Sequence, residues 1–173
     1  PCQGSRIACC PCRNADADAA ELEQTFLRGY YGEAGPYVRE YIDVMTNAVS
    51  ATGFYMHESF ATASAPFLTP AVILGAGTAF RDARNAVSGA ELLRVKCSSL
   101  AVYWVALFRW DSLRDYAAST MTEALWPFPA TKEEAFEVFA EAYNLTAARY
   151  NGTIALQEFS NHSLPWMRSQ LFP

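Results

Sequence analysis

With 173 residues, 51% of them apolar, and a net charge of −5, the chain has the composition of an ordinary globular protein and the length to bury most of its apolar surface as one domain. Its 13 basic residues are scattered among 18 acidic ones instead of forming a stripe, which argues against nucleic acid as a partner. The most apolar run, Leu100–Phe108, falls far short of the ~20 residues a bilayer-spanning helix needs, and Ala65–Phe80 is broken by Pro66, Pro70, Gly75 and Gly77, so no membrane span is expected.

Residues 1–15 read as an irregular, cysteine-rich tail ahead of a helical domain over 16–173. Cys2, Cys9, Cys10 and Cys12 sit among prolines with no hydrophobic period. A signal peptide would need a basic start followed by an apolar core, and neither this nor an initiating Met is present, so the chain reads as a fragment of a longer product. A structural zinc site would need a second Cys/His pair; Cys97 is remote and His57 and His162 stand singly, so no metal or other cofactor is expected. This cysteine usage leaves the redox compartment open.

From Asp16 onward, apolar residues recur at helical spacing and predict an all-α bundle of about six helices. The first starts at Asp18 as N-cap, carries Leu22, Phe26, Leu27 and Tyr30, and stops at Gly32. The second opens with Pro36 at its first position and runs through Val38, Tyr41 and Met45 to Gly53. A long aperiodic connection, Phe54–Pro70, follows; loops of this length in compact domains tend to be functional or mobile. Thr69-Pro70 opens a third helix burying Ile73, Ala76, Phe80 and Ala83, with small residues at Gly75–Gly77 that would let another backbone approach.

Ser88 and Glu91 have the spacing of a capping box and open a fourth, central helix carrying Leu93, Cys97, Leu100, Trp104 and Leu107. A fifth, Ser112–Leu125, ends at Trp126-Pro127-Phe128-Pro129. Thr131 and Glu134 form a second capping box, opening a sixth helix with Phe136, Phe139, Tyr143 and Tyr150 on one face and a stop at Asn151-Gly152. Thr153–Phe159 has the alternation of one short strand, and Leu164, Trp166, Met167, Leu171 and Phe172 in the tail need a surface to pack on.

Chemical motifs are few. Ala71–Gly77 imitates the glycine turn of a dinucleotide-binding unit, but Phe80 occupies the third glycine position and a helix begins where the strand should be. His57-Glu58 begins like a zinc-protease helix, yet Ala61 stands where the second His must be, and the dipeptide reads first as an exposed polar loop or a cap, with acid–base work as the alternative. Most carboxylates fall on polar faces or in first helical turns, where solvated structural roles suffice, so no catalytic residue is assigned. Asn144, Asn151 and Asn161 each open a glycosylation sequon, which places this end of the chain at the surface if the protein passes through a secretory pathway.

The most specific sequence is Phe26-Leu27-Arg28-Gly29-Tyr30-Tyr31-Gly32-Glu33-Ala34-Gly35-Pro36-Tyr37-Val38-Arg39-Glu40-Tyr41. It resembles the C-terminal part of the family called domain of unknown function 4838, in which a phrase like Phe-Leu-x-x-Tyr-Tyr-Gly-x-Ala and a Tyr-rich helix follow a barrel similar to those of α-glucuronidases and hexosaminidases. Glu91–Val95 and the Tyr103-Trp104 helix also look like that family's Arg-Val helix, extending the similarity over about 16–160. The resemblance implies a helical domain packed beside a (β/α) barrel of the same or a parent polypeptide, with oligosaccharide as the ligand class. Catalytic carboxylates of such barrels lie at strand ends, so none carries over to a position here.

On this reading the chain is a helical accessory domain of a glycoside-hydrolase-like protein, with Tyr55, His57 and Glu58 on the long loop as the residues expected to reach a carbohydrate rim. The alternative is a free-standing helical protein-interaction or oligomerisation module using its surplus aromatics.

Overall fold

A computed structural model of the chain describes residues 18–54, 65–149 and 163–173; the possible strand at 153–159 and the cysteine tail lie outside them. Among the described residues the fold is all-α. Its elements are α1 (Ala19–Tyr31), a 3₁₀ turn (Gly32–Ala34), α2 (Gly35–Thr52), α3 (Pro70–Ala86), α4 (Gly89–Ser98), α5 (Leu100–Phe108), α6 (Trp110–Thr120), a 3₁₀ turn (Glu123–Leu125), α7 (Lys132–Arg149) and α8 (Leu164–Leu171).

Helix α3 packs along α2 on one side and against α4, α5 and α6 on the other, while α7 covers α4 and α5 and α1 bridges α2 and α4. The core therefore runs through the middle of the bundle, from Phe80 and Leu74 of α3 through Leu107 of α5 to Phe139 of α7, all nearly inaccessible. The helix starts follow from local chemistry. Asp18 accepts a hydrogen bond from the Ala20 amide at 2.9 Å, and Thr69 accepts one from the Val72 amide at 3.3 Å with Pro70 behind it. Thr131 and Glu134 satisfy each other's amides reciprocally, both at 3.2 Å.

The expected box at Ser88 and Glu91 does not close: Ser88 makes no side-chain cap. Gly89 enters the helix at φ +60°, which turns the chain differently at this start, and Glu91 faces Arg94 at 3.8 Å instead.

The long fourth helix is divided at Ser99 into α4 and α5, and a second interruption at Arg109 separates α6. At each break the amide is shared between two carbonyls, Val95 and Lys96 for Ser99, and Val105 and Ala106 for Arg109. Ser99 is fully buried and its hydroxyl donates to the Lys96 carbonyl at 2.8 Å. Arg84 of α3 reaches into this break, donating to Ser99 Oγ and to the Tyr103 hydroxyl, both at 2.9 Å. The Arg84 fork thus ties α3 to the break and to the first turn of α5 through two buried hydroxyls.

The segment after α6 is more than a terminator. Trp126 and Phe128 are buried, Trp126 stacks edge-on against Trp110 at 5.3 Å and donates through Nε1 to the Pro129 carbonyl at 2.9 Å, and Arg114 lies over its ring at 4.6 Å. The tail forms α8, which Ser163 caps by accepting from the Trp166 amide, and which buries Met167 and Leu171 while Phe172 sits edge-on to Phe136 of α7.

Candidate functional site

The Tyr-Tyr-Gly turn builds the corner from which α1, α2 and α4 diverge. Gly32 takes φ +57°, and Gly35 lies so close to α1 that a Cβ there would stand 3.1 Å from the Leu27 carbonyl oxygen. Ala34 between them is fully buried. From α4, Arg94 donates to the Tyr30 carbonyl at 2.6 Å and its guanidinium lies 4.7 Å over the Tyr30 ring, while Tyr31 and Ser98 share a hydroxyl–hydroxyl bond of 2.8 Å. The motif therefore fixes three helices relative to one another, a structural reason for its residue choice.

Among the described residues, two surface clefts adjoin this frame and another lies at the root of the long connection. The first, about 340 Å³, opens between α1, α4 and α7 and is lined by Phe26, Tyr30 and Tyr31 of α1, Arg94, Cys97 and Ser98 of α4 and Thr146 of α7. Phe26 is 41% exposed; its ring stacks on Tyr30 with planes 12° apart and meets Tyr31 at 88°. Two parallel rings and one perpendicular ring thus make an aromatic corner with hydroxyl and guanidinium groups beside it.

The second cleft, about 460 Å³, lies at the α1–α2 turn between Arg28 and Arg39. Arg39 is committed there: its guanidinium pairs with Glu23 and with Asp43, at 3.1 Å to the latter, and both carboxylates, Asp43 first, hold it above its ordinary range. The third, about 690 Å³, lies at the root of the long connection, between Ala65, Pro66, Pro70, Phe108 and Arg109. Phe54 meets Phe67 at 5.4 Å, and Arg109 donates to the Leu68 carbonyl, so both ends of that connection are anchored in the bundle.

Tyr55, His57 and Glu58 fall on the connection itself and lie outside the described residues, as do Asn151 and Asn161. Asn144 is exposed on α7, but the Thr146 of its sequon is buried and donates its hydroxyl to the Ala142 carbonyl at 2.8 Å. A glycan there would have to be added before α7 closes around the sequon. Among the described residues no group of three or more His, Cys, Asp or Glu is placed to hold a metal ion, and no helix is long and apolar enough to cross a membrane.

The aromatic corner was only partly visible in the sequence. The helical spacing of Leu22, Phe26, Leu27 and Tyr30 predicts one buried stripe on α1; of these only Leu27 is buried, and Leu22 remains 36% exposed. Hydrophobic period locates a stripe but not which neighbour covers it; here α1 turns Leu27 inward and leaves Phe26 at the edge of a cleft. No family model, curated protein or solved structure matches the chain.

Proposed function

We propose that this chain is a helical accessory domain of a glycoside-hydrolase-like, carbohydrate-active protein, carrying no catalytic machinery of its own and packing beside a barrel domain of the same or a parent polypeptide. The observation that carries the reading is the Tyr30–Pro36 turn. The residues that resemble the family phrase are those that the three-helix corner requires, Gly32 and Gly35 for backbone geometry and Tyr31 for the bond to α4. The later Arg-Val phrase supports it through Arg94, which closes the same corner.

The coding sequence upstream of Pro1 tests this reading. An in-frame barrel, co-purifying as a stable body with the helical domain, is the expected result; a start codon adjoining Pro1 with no barrel would overturn it.

A second reading, a free-standing interaction or oligomerisation module, is favoured by one observation: Leu22, Phe26, Leu93, Phe108, Leu125 and Trp166 are large apolar residues at least one-third exposed. Sedimentation of the chain separates the two, since self-association that is lost when Leu93 or Phe108 becomes Ser would support the module.

A further inference from the structure

We infer that the cleft between α1, α4 and α7 is a binding site for a neutral pyranose ring, stacked on Phe26 and held at its edge by Arg94 and the Tyr31–Ser98 hydroxyl pair. This rests on the carbohydrate reading above and assigns it a place on the chain's own surface.

The argument is one of chemical complementarity. A pyranose with equatorial substituents presents C–H groups on its faces and hydroxyls around its rim, so it needs an exposed aromatic face with hydrogen-bonding groups beside it. Phe26 supplies the first: it is 41% exposed and is held in orientation by stacking on Tyr30 and by the perpendicular Tyr31. The second comes from the cleft wall. The Tyr31 and Ser98 hydroxyls are bonded to each other at 2.8 Å, and a pair of hydroxyls so joined keeps one O–H to donate and lone pairs to accept. Arg94 spends one Nη1 donor on the Tyr30 carbonyl and has five N–H donors in all, and Thr146 Oγ1, having donated to Ala142, retains acceptor capacity.

Charge selects the neutral sugar. The Arg94 guanidinium already faces the Glu91 carboxylate at 3.8 Å, so the cleft carries no uncompensated cation demanding an anionic ligand. Size selects a short ligand, because about 340 Å³ lies at the small end of the range for small-molecule sites.

The test is calorimetric titration and saturation-transfer NMR of the full chain with methyl β-D-glucopyranoside, its 6-carboxylate analogue methyl β-D-glucuronide, and cellobiose. Helical content of every variant is checked by circular dichroism. The glucoside and cellobiose are expected to bind, with saturation strongest at the axial C–H protons, and the glucuronide to bind no more tightly. Phe26→Ala should weaken binding about tenfold, the upper end for one aromatic contact. Tyr31→Phe keeps the ring and removes only the hydroxyl, and should weaken it about threefold, whereas Leu125→Ala on the remote 3₁₀ turn should change nothing.

Absence of saturation with all three ligands would overturn the site, as would binding that Phe26→Ala and Tyr31→Phe leave intact; tighter binding of the glucuronide would overturn its neutral character. Each of these outcomes can occur with a barrel encoded upstream, so failure of the site is distinguishable from failure of the accessory-domain reading.

Discussion

Gly75 and Gly77 lie two residues apart in α3, and replacing each with alanine should shift stability in opposite directions. In a helix interior, Gly→Ala gains about 1 kcal/mol from backbone entropy. At Gly75 a new Cβ would meet Val44 Cγ1 at 3.7 Å, an ordinary contact, so most of that gain survives. At Gly77 it would stand 2.7 Å from Phe128 Cζ and 2.9 Å from Pro127 Cγ, too close for either to remain in place. The Phe128 ring cannot withdraw easily, because it is 6% exposed and Tyr103 meets it edge-on at 5.3 Å with Trp126 at 5.5 Å. Overpacking of this kind costs about 1–3 kcal/mol, which exceeds the entropy gain and leaves Gly77→Ala destabilised by up to about 2 kcal/mol. Urea and thermal unfolding of both variants are the assays, and a difference of about 1–3 kcal/mol separates the melting temperatures by roughly 2–12 °C for a chain of this size. Adding Phe128→Leu, which removes the clashing ring atom, should make the double variant more stable than the sum of the single effects by about 1 kcal/mol. A Gly77→Ala midpoint raised as far as that of Gly75→Ala would refute the reasoning.

Arg84→Ala would leave the buried Ser99 and Tyr103 hydroxyls without their donor and should cost about 2–4 kcal/mol in denaturant unfolding. Thr131→Ala removes one arm of the capping box of α7 and should cost about 1 kcal/mol, whereas Ser88→Ala, where no side-chain cap forms, should change the unfolding midpoint little. Burial raises the Tyr103 hydroxyl above the ordinary value of 10.0, with Arg84 opposing part of the rise, and burial likewise raises Tyr41. The native state therefore holds these protons after the unfolded chain has released them. Their contribution is complete below pH 10.0 and is lost as pH rises toward the folded values, so alkaline thermal melts should fall above that pH, less steeply in Tyr103→Phe.

Much of the fold was legible because helix punctuation is local chemistry. Asp18, Thr69-Pro70 and Thr131 with Glu134 mark starts that depend only on side chains within three residues of the amide they cap. The break at Ser99 was not legible, since no proline or glycine marks it and it is held by Arg84, fifteen residues away in sequence on another helix, whereas the division at Arg109 falls where the fourth and fifth expected helices part, α6 beginning at Trp110 instead of Ser112. The small residues at Gly75–Gly77 signalled a close approach, expected to be that of another backbone; the nearest atoms are instead side chains, Val44 at Gly75 and Phe128 with Pro127 at Gly77, which no periodicity within α3 could specify. The tail's apolar residues announced a need for cover, and α8 meets it by burying Met167 and Leu171. For the candidate site, sequence supplied the Tyr-Tyr-Gly phrase but not its partners, because Arg94 and Ser98 come from a helix more than sixty residues further along.

The central claim about the site, that the cleft between α1, α4 and α7 holds a neutral sugar, is tested most directly by glycan-array binding of the purified full chain. The account predicts retention of a subset of neutral oligosaccharides, lost in Phe26→Ala at unchanged helical content. A monodisperse, folded chain that retains no glycan of any class would contradict it.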